Sequence, residues 1–132
     1  MIYGIGADIV NIGRIKTALT RHGDLFAQRI LALGEWEEYQ ILARRNSQQR
    51  AAFLARRFAA KEATVKAFGT GFRDGIKLTS IAVIHDQRGR PNLHFSAEAR
   101  EYCQTQGITK SFLSLADEKD YAVAFVTLLH QT

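Results

Sequence analysis

The sequence predicts a protein of mixed helices and strands, and three observations carry that expectation. From about Ser47 to Phe68 nothing breaks a helix, and Leu54, Phe58, Val65 and Phe68 recur at helical spacing. Beyond Gly71 the pattern changes to alternation, with strand formers in Leu78 to Asp86, Asn92 to Phe95, Thr109 to Leu115 and Tyr121 to Leu129. The opening residues, Met1 to Val10, alternate as well. With 132 residues, 46% of them hydrophobic, the chain is expected to form one globular domain (1–132) able to build a core.

In the first strand Tyr3, Ile5, Ala7 and Ile9 share one face, while Ile2, Gly4, Gly6 and Asp8 share the other. Two glycines weaken a strand, so they signal a turn, a bulge or close approach by something else. Asp8 reads either as a strand-end residue beginning a turn or as a carboxylate with a chemical task. Asn11 suits the N-cap of a helix whose Ile12, Ile15 and Leu19 point inward. On its other side Arg14 and Arg21 flank Thr17 and Ala18, a basic stripe with small residues at its middle that would suit an acidic helix.

Gly23 and Asp24 punctuate the chain before a short helix carrying Leu25, Phe26, Ile30 and Leu31. A further helix from about Gly34 to Arg45 brings Trp36 and Tyr39 as core or subunit contacts. Arg44, Arg45, Arg50, Arg56 and Arg57 raise the positive charge ahead of Glu62. Within the long helix Glu62 falls one turn after Phe58, at the edge of the apolar stripe. A carboxylate there is costly to desolvate unless a cation or metal compensates it. Lys66 follows one turn later; such a pair alone merely decorates a helix face for about 0.2 to 0.5 kcal/mol. The helix ends in Gly69-Thr70-Gly71, whose glycines permit positive φ and close approach of a ligand to the backbone.

In the second half Gln87 to Pro91 forms a turn in which Gly89 supplies the bend. Ser96 is expected to cap a helix that ends at Gly107. Both faces of the final strand read as buried, because small and apolar residues fill each.

Composition excludes several classes. A transmembrane helix needs about 18 consecutive apolar residues, and no such run is present. With no secretory leader either, a soluble cytoplasmic protein is expected. Cys103, the one cysteine, excludes an internal disulfide and a cysteine metal cluster. The net charge of +5 suggests a polyanionic partner, which nucleic acid, a phosphorylated cofactor and an acidic protein would each satisfy. Two rival classes follow: a nucleic-acid-binding module, for which no recognised motif appears, and a catalytically silent scaffold.

Three stretches carry a family resemblance: Gly4-Ile-Gly-Ala-Asp-Ile-Val-Asn-Ile-Gly-Arg-Ile15, Arg57-Phe-Ala-Ala-Lys-Glu-Ala-Thr-Val-Lys-Ala-Phe-Gly-Thr-Gly71 and Gly89-Arg-Pro91. The chain resembles the holo-acyl-carrier-protein synthases, the short bacterial class of the 4'-phosphopantetheinyl transferase superfamily. The resemblance implies an α+β fold, with an antiparallel sheet packed with helices around one long central helix. It also implies a homotrimer with active sites between subunits. The implied reaction is magnesium-dependent transfer of 4'-phosphopantetheine from coenzyme A to a serine of apo acyl carrier protein, in fatty acid biosynthesis.

By the same resemblance Asp8 and Glu62 hold the magnesium ion, and Glu62 and Lys66 are the catalytic candidates. Arg57, Lys61, Lys66, Gly69, Thr70 and Gly71 are candidate coenzyme A contacts, and Gly89, Arg90 and Pro91 border its adenine. Arg14 and Arg21 dock the acidic carrier protein. No nucleic acid or membrane partner is expected. One departure stands out: many relatives carry a histidine where this chain has Asp117, so no catalytic role is assigned there.

Overall fold

The protein is described here by a computed structural model covering residues 1–131. Strand β1 (Ile2–Asn11) leads into helices α1 (Ile12–His22), α2 (Asp24–Ile30) and α3 (Leu33–Arg45). A 3-10 turn at Ser47–Gln49 opens helix α4 (Arg50–Phe68). The second half contains β2 (Ile81–His85), β3 (Pro91–Phe95), α5 (Ala97–Gln106), β4 (Ile108–Asp117) and β5 (Tyr121–His130). Two antiparallel sheets result, a three-stranded one in the order β1-β5-β4 and the β2-β3 hairpin. Helices and antiparallel sheets together make the α+β fold anticipated from the resemblance.

The three-stranded sheet and α4 form the part of the core that matters for the site. Helix α4 is 19 residues long and rich in alanine, a strong helix former, and Gly69 ends it in the left-handed conformation at φ 84°. Ala59, Ala60, Ala63 and Ala67 are 0–4% exposed, as are Ala122, Ala124, Val126 and Leu128 of β5. The small side chains let α4 lie close against β1 and β5. The glycines of β1 complete the fit: Gly4 lies against the backbone of Ala67 and Gly6 against that of Ala63. The object approaching the glycine pair is therefore the helix backbone.

The first turn of α1 forms as anticipated, with Asn11 Oδ1 accepting a hydrogen bond from the Arg14 N–H at 3.2 Å. Ile15 and Leu19 are buried beneath it. Gly89 (φ 84°) and Gly107 (φ 72°) adopt the positive φ their turns require.

Three expectations need correction. Leu78–Ser80 is a 3-10 turn and β2 starts only at Ile81. Ser96 stands at the N-cap position of α5 without capping it, and its hydroxyl instead reaches the Ser80 carbonyl at 3.5 Å. The final strand buries one face only. Its outward residues include Phe125 at 56% exposure and Tyr121, and Ile5, Ile9 and Phe112 are exposed beside them. These residues lie on neighbouring strands in register and make one apolar sheet face. Local alternation cannot distinguish a face covered by the chain's own helix from one left open.

Candidate active site

Asp8 is carried to the site by β1, two residues beyond the glycine seated on Ala63. Helix α4 presents Glu62 one residue before that same alanine. Both carboxylates line a cleft of about 400 Å³ with Ile9, Asn11, Arg14 and Phe58. Thus residues 54 positions apart in sequence meet because the strand and helix backbones are in near contact.

Burial raises the Glu62 pKa above its ordinary value, and the negative charge of Asp8 raises it further, against an opposing pull from Lys66. Two carboxylates held together at such a cost make a point of high affinity for a cation. Lys66 partly supplies one. Its Nζ lies 2.9 Å from Asp8 Oδ1 and 3.1 Å from the Ala7 carbonyl oxygen. The sequence spacing suggested Lys66 with Glu62, but the ammonium's ion pair is with Asp8 on the facing strand.

Among the described residues no group of three His, Cys, Asp or Glu side chains is arranged to hold a metal. Two hard carboxylate oxygens, with the remaining positions open to phosphate and water, are nevertheless the donor set magnesium commonly takes. Asp8 and Glu62 therefore fit that ion and would suit a thiolate- or imidazole-seeking metal poorly.

Two of the anticipated cofactor contacts do not reach the surface. Lys61 is wholly buried, donating to Glu35 Oε1 and to the Ile30 carbonyl. Arg57 is 3% exposed, lies 3.5 Å from Glu35 and 3.4 Å from Glu38, and covers the Phe53 ring at 4.3 Å. Neither can meet a ligand phosphate without unfolding its surroundings. Burial lowers the Lys61 pKa, and the adjacent Glu35 carboxylate opposes that shift. Glu35, which sequence reasoning missed, also accepts from the Ala32 and Val83 N–H groups, both at 2.9 Å. Its place in the first turn of α3 signals a helix-start carboxylate, but no local pattern names its distant partners.

The glycine exit of α4 is open. A β-carbon on Gly69 or Gly71 would meet nothing within 4 Å, so this backbone is accessible to a ligand. Thr70 Oγ1 donates to the Gly71 carbonyl at 2.7 Å. The hydroxyls of Tyr3 and Tyr102 are hydrogen-bonded to each other at 2.6 Å and lie 3.4 and 3.2 Å from the Phe68 carbonyl oxygen; one donates to its partner hydroxyl and the other to the carbonyl, which fixes the helix end. Sequence reasoning missed this pair, whose members are 99 positions apart.

The turn at Gly89, Arg90 and Pro91 is held by Asp86, whose Oδ1 accepts from the N–H groups of Arg88 and Arg90 at 2.8 and 2.9 Å. None of those three residues lines the Asp8–Glu62 cleft. Arg14 and Arg21 do share one surface, a shallow groove floored by Gly13, Thr17 and Ala18, and Arg14 also borders the carboxylate cleft. Asp117 pairs with Arg56 at 3.4 Å.

A family model described as the 4'-phosphopantetheinyl transferase superfamily matches residues 4–126. The chain belongs to this superfamily. It is 54% identical over 129 residues to the holo-[acyl-carrier-protein] synthase of Halorhodospira halophila, covering 98% of both chains. The crystal structure of holo-[acyl-carrier-protein] synthase from Neisseria meningitidis superposes with a TM-score of 0.89 at 39% identity, covering 98% of this chain and 99% of that one. The Bacillus anthracis holo-(acyl-carrier-protein) synthase, solved in complex with coenzyme A (3',5'-ADP), gives a TM-score of 0.81 at 36% identity and covers 99% of each chain. In this phosphopantetheinyl transferase the cleft between β1 and α4 is bordered by Arg14, and the groove holding Arg14 and Arg21 adjoins it.

Proposed function

We propose that this chain is a single-domain enzyme that transfers 4'-phosphopantetheine from coenzyme A to a serine of an apo acyl carrier protein, releasing adenosine 3',5'-bisphosphate. The observation that carries the reading is that Asp8 and Glu62 share one cleft, and that the cleft opens beside the α1 arginines. A diphosphate site and a docking surface for an acidic partner are adjacent, as a two-substrate transfer requires.

In the proposed reaction the serine Oγ attacks the phosphorus of the pantetheine-bearing phosphate, and the bond from that phosphorus to the bridging oxygen breaks. The bridging oxygen leaves on the adenosine bisphosphate. Serine is a weak nucleophile at neutral pH, so its proton must be taken as it attacks. Glu62 is the group we assign, directly or through a water, because it is a carboxylate lining the cleft beside Asp8 and the docking surface. Lys66, half exposed and paired with Asp8, neutralises charge on the diphosphate. A magnesium ion held by Asp8 and Glu62 would orient the diphosphate and offset charge developing on the leaving phosphate. The open backbone of Gly69 and Gly71, with Thr70 between them, offers further cofactor contacts.

Two features support a homotrimer with interfacial sites. The sheet face bearing Ile5, Ile9, Phe112 and Phe125 is apolar and uncovered within one chain. The Gly89–Pro91 turn does not line its own chain's cleft and so can serve a neighbour's. A cytoplasmic setting and the carrier of fatty acid biosynthesis complete the reading; among the described residues no helix is long and apolar enough to cross a membrane.

The test is to incubate the protein with coenzyme A and apo carrier, with and without magnesium, and follow the carrier's mass. Phosphopantetheine addition that depends on magnesium is expected. No addition across several carriers would overturn the reading.

A further inference from the structure

Lys66 sits where two roles conflict. Its ammonium bonds Asp8 Oδ1 at 2.9 Å and the Ala7 carbonyl at 3.1 Å, although the side chain is 53% exposed and has room to swing outward. Asp8 itself is only 15% exposed, so its carboxylate presents few alternative faces to solvent. A magnesium ion binds carboxylate oxygen at about 2.0 to 2.1 Å. If it did so with Lys66 still in place, two cations would share one carboxylate and repel each other in a partly buried cleft.

We propose that Lys66 is a tethered placeholder cation: it occupies Asp8 in the metal-free site and is exchanged for the divalent ion as the cofactor's diphosphate arrives. The inference rests on the transferase reading above and deepens it. A metal ion arriving alone must break the Lys66–Asp8 bond and leave the half-exposed ammonium to water, with no anion to replace Asp8. A metal ion arriving with a diphosphate brings the ammonium a new anionic partner within reach of the same helix turn. Metal and coenzyme A therefore bind with positive coupling, and by linkage each tightens the other by the same factor. In the metal-free state the ammonium also relieves the repulsion between Asp8 and Glu62, so the site stays closed-packed while it waits.

The experiment measures Mn²⁺ binding to the full chain by electron paramagnetic resonance, first with the ion alone and then with coenzyme A. Wild type is compared with Lys66→Met and Lys66→Arg, and thermal melting confirms that each variant is folded. Without coenzyme A, Lys66→Met is expected to bind the ion roughly fivefold more tightly, the equivalent of one modest ion pair removed. Lys66→Arg stays near wild type because it keeps the charge. Coenzyme A tightens ion binding markedly in wild type and much less in Lys66→Met. In wild type labelled at the lysine Nζ, the Lys66 ammonium resonance shifts when diamagnetic Mg²⁺ and coenzyme A are added together. Equal or weaker ion binding by Lys66→Met, or equal enhancement by coenzyme A in both proteins, overturns the placeholder role and leaves the transferase reading standing. Failure of every form to bind Mn²⁺ even with coenzyme A overturns both.

Discussion

A β-carbon added to Gly6 would lie 1.9 Å from the carbonyl oxygen of Ala63. The strand that carries Asp8 is seated on the helix that carries Glu62 only because nothing projects between them. Gly6→Ala must push the two elements apart, and overpacking of this kind costs about 3 kcal/mol. Urea unfolding should record that loss, and kcat should fall with it because the carboxylates separate. Gly34→Ala, where an added β-carbon meets nothing within 4 Å, serves as control. It should raise stability by about 0.5 kcal/mol through helix propensity.

Asp8→Ala and Glu62→Ala should each lower kcat by roughly a hundredfold or more, the scale of losing one preorganised electrostatic partner of a transition state. Circular dichroism should show both proteins folded. A near-normal rate in either would remove that residue from the metal pair.

Glu62 should make the native state less stable as it ionises. Its folded pKa lies above the unfolded value, so the unfolded chain releases the proton first and stability falls as pH rises through the folded pKa. Glu62→Gln should therefore be more stable than wild type at neutral pH and lose that advantage below the ordinary glutamate range, while remaining inactive. Denaturation curves across pH check the sign. An advantage that persisted in acid would point to packing instead of charge.

Arg14→Glu and Arg21→Glu should each raise the KM for the carrier about tenfold at low salt and leave the KM for coenzyme A nearly unchanged. The difference from wild type should shrink as salt rises, because the contacts are exposed. Steady-state kinetics at two ionic strengths reads both effects.

Phe125→Asp should leave the fold intact and abolish self-association, since a charge would stand in the middle of the apolar sheet face. Sedimentation velocity should show wild type near three times the mass of the variant. Loss of activity in the monomer would fit a site completed by a neighbour.

The parts of this molecule legible in its sequence are those governed by neighbours along the chain. Asn11 capping α1, Gly69 closing α4 and Gly89 turning the hairpin are all fixed by local backbone demands. Glu62 stands out as a carboxylate placed where one is costly, whereas Asp8 reads equally well as a strand-end residue, and only the family likeness joins the two. Lys61 and Arg57 were misread for the converse reason. A lysine beside a catalytic glutamate looks available, and only the fold reveals that Glu35, 26 positions earlier, has claimed it. The outward face of β5 is a similar case, since alternation records which residues are apolar and not what covers them.

Glu35 has a consequence for how the molecule comes apart. One buried carboxylate receives the ends of α2 and α3 through Lys61 and Ala32, the body of α4 through Lys61 and Arg57, and the hairpin through Val83. No one of these segments can open alone without stranding charge in an apolar interior. Local fraying is thereby suppressed there, and the Val83 amide should exchange its hydrogen only when the whole structure opens at once.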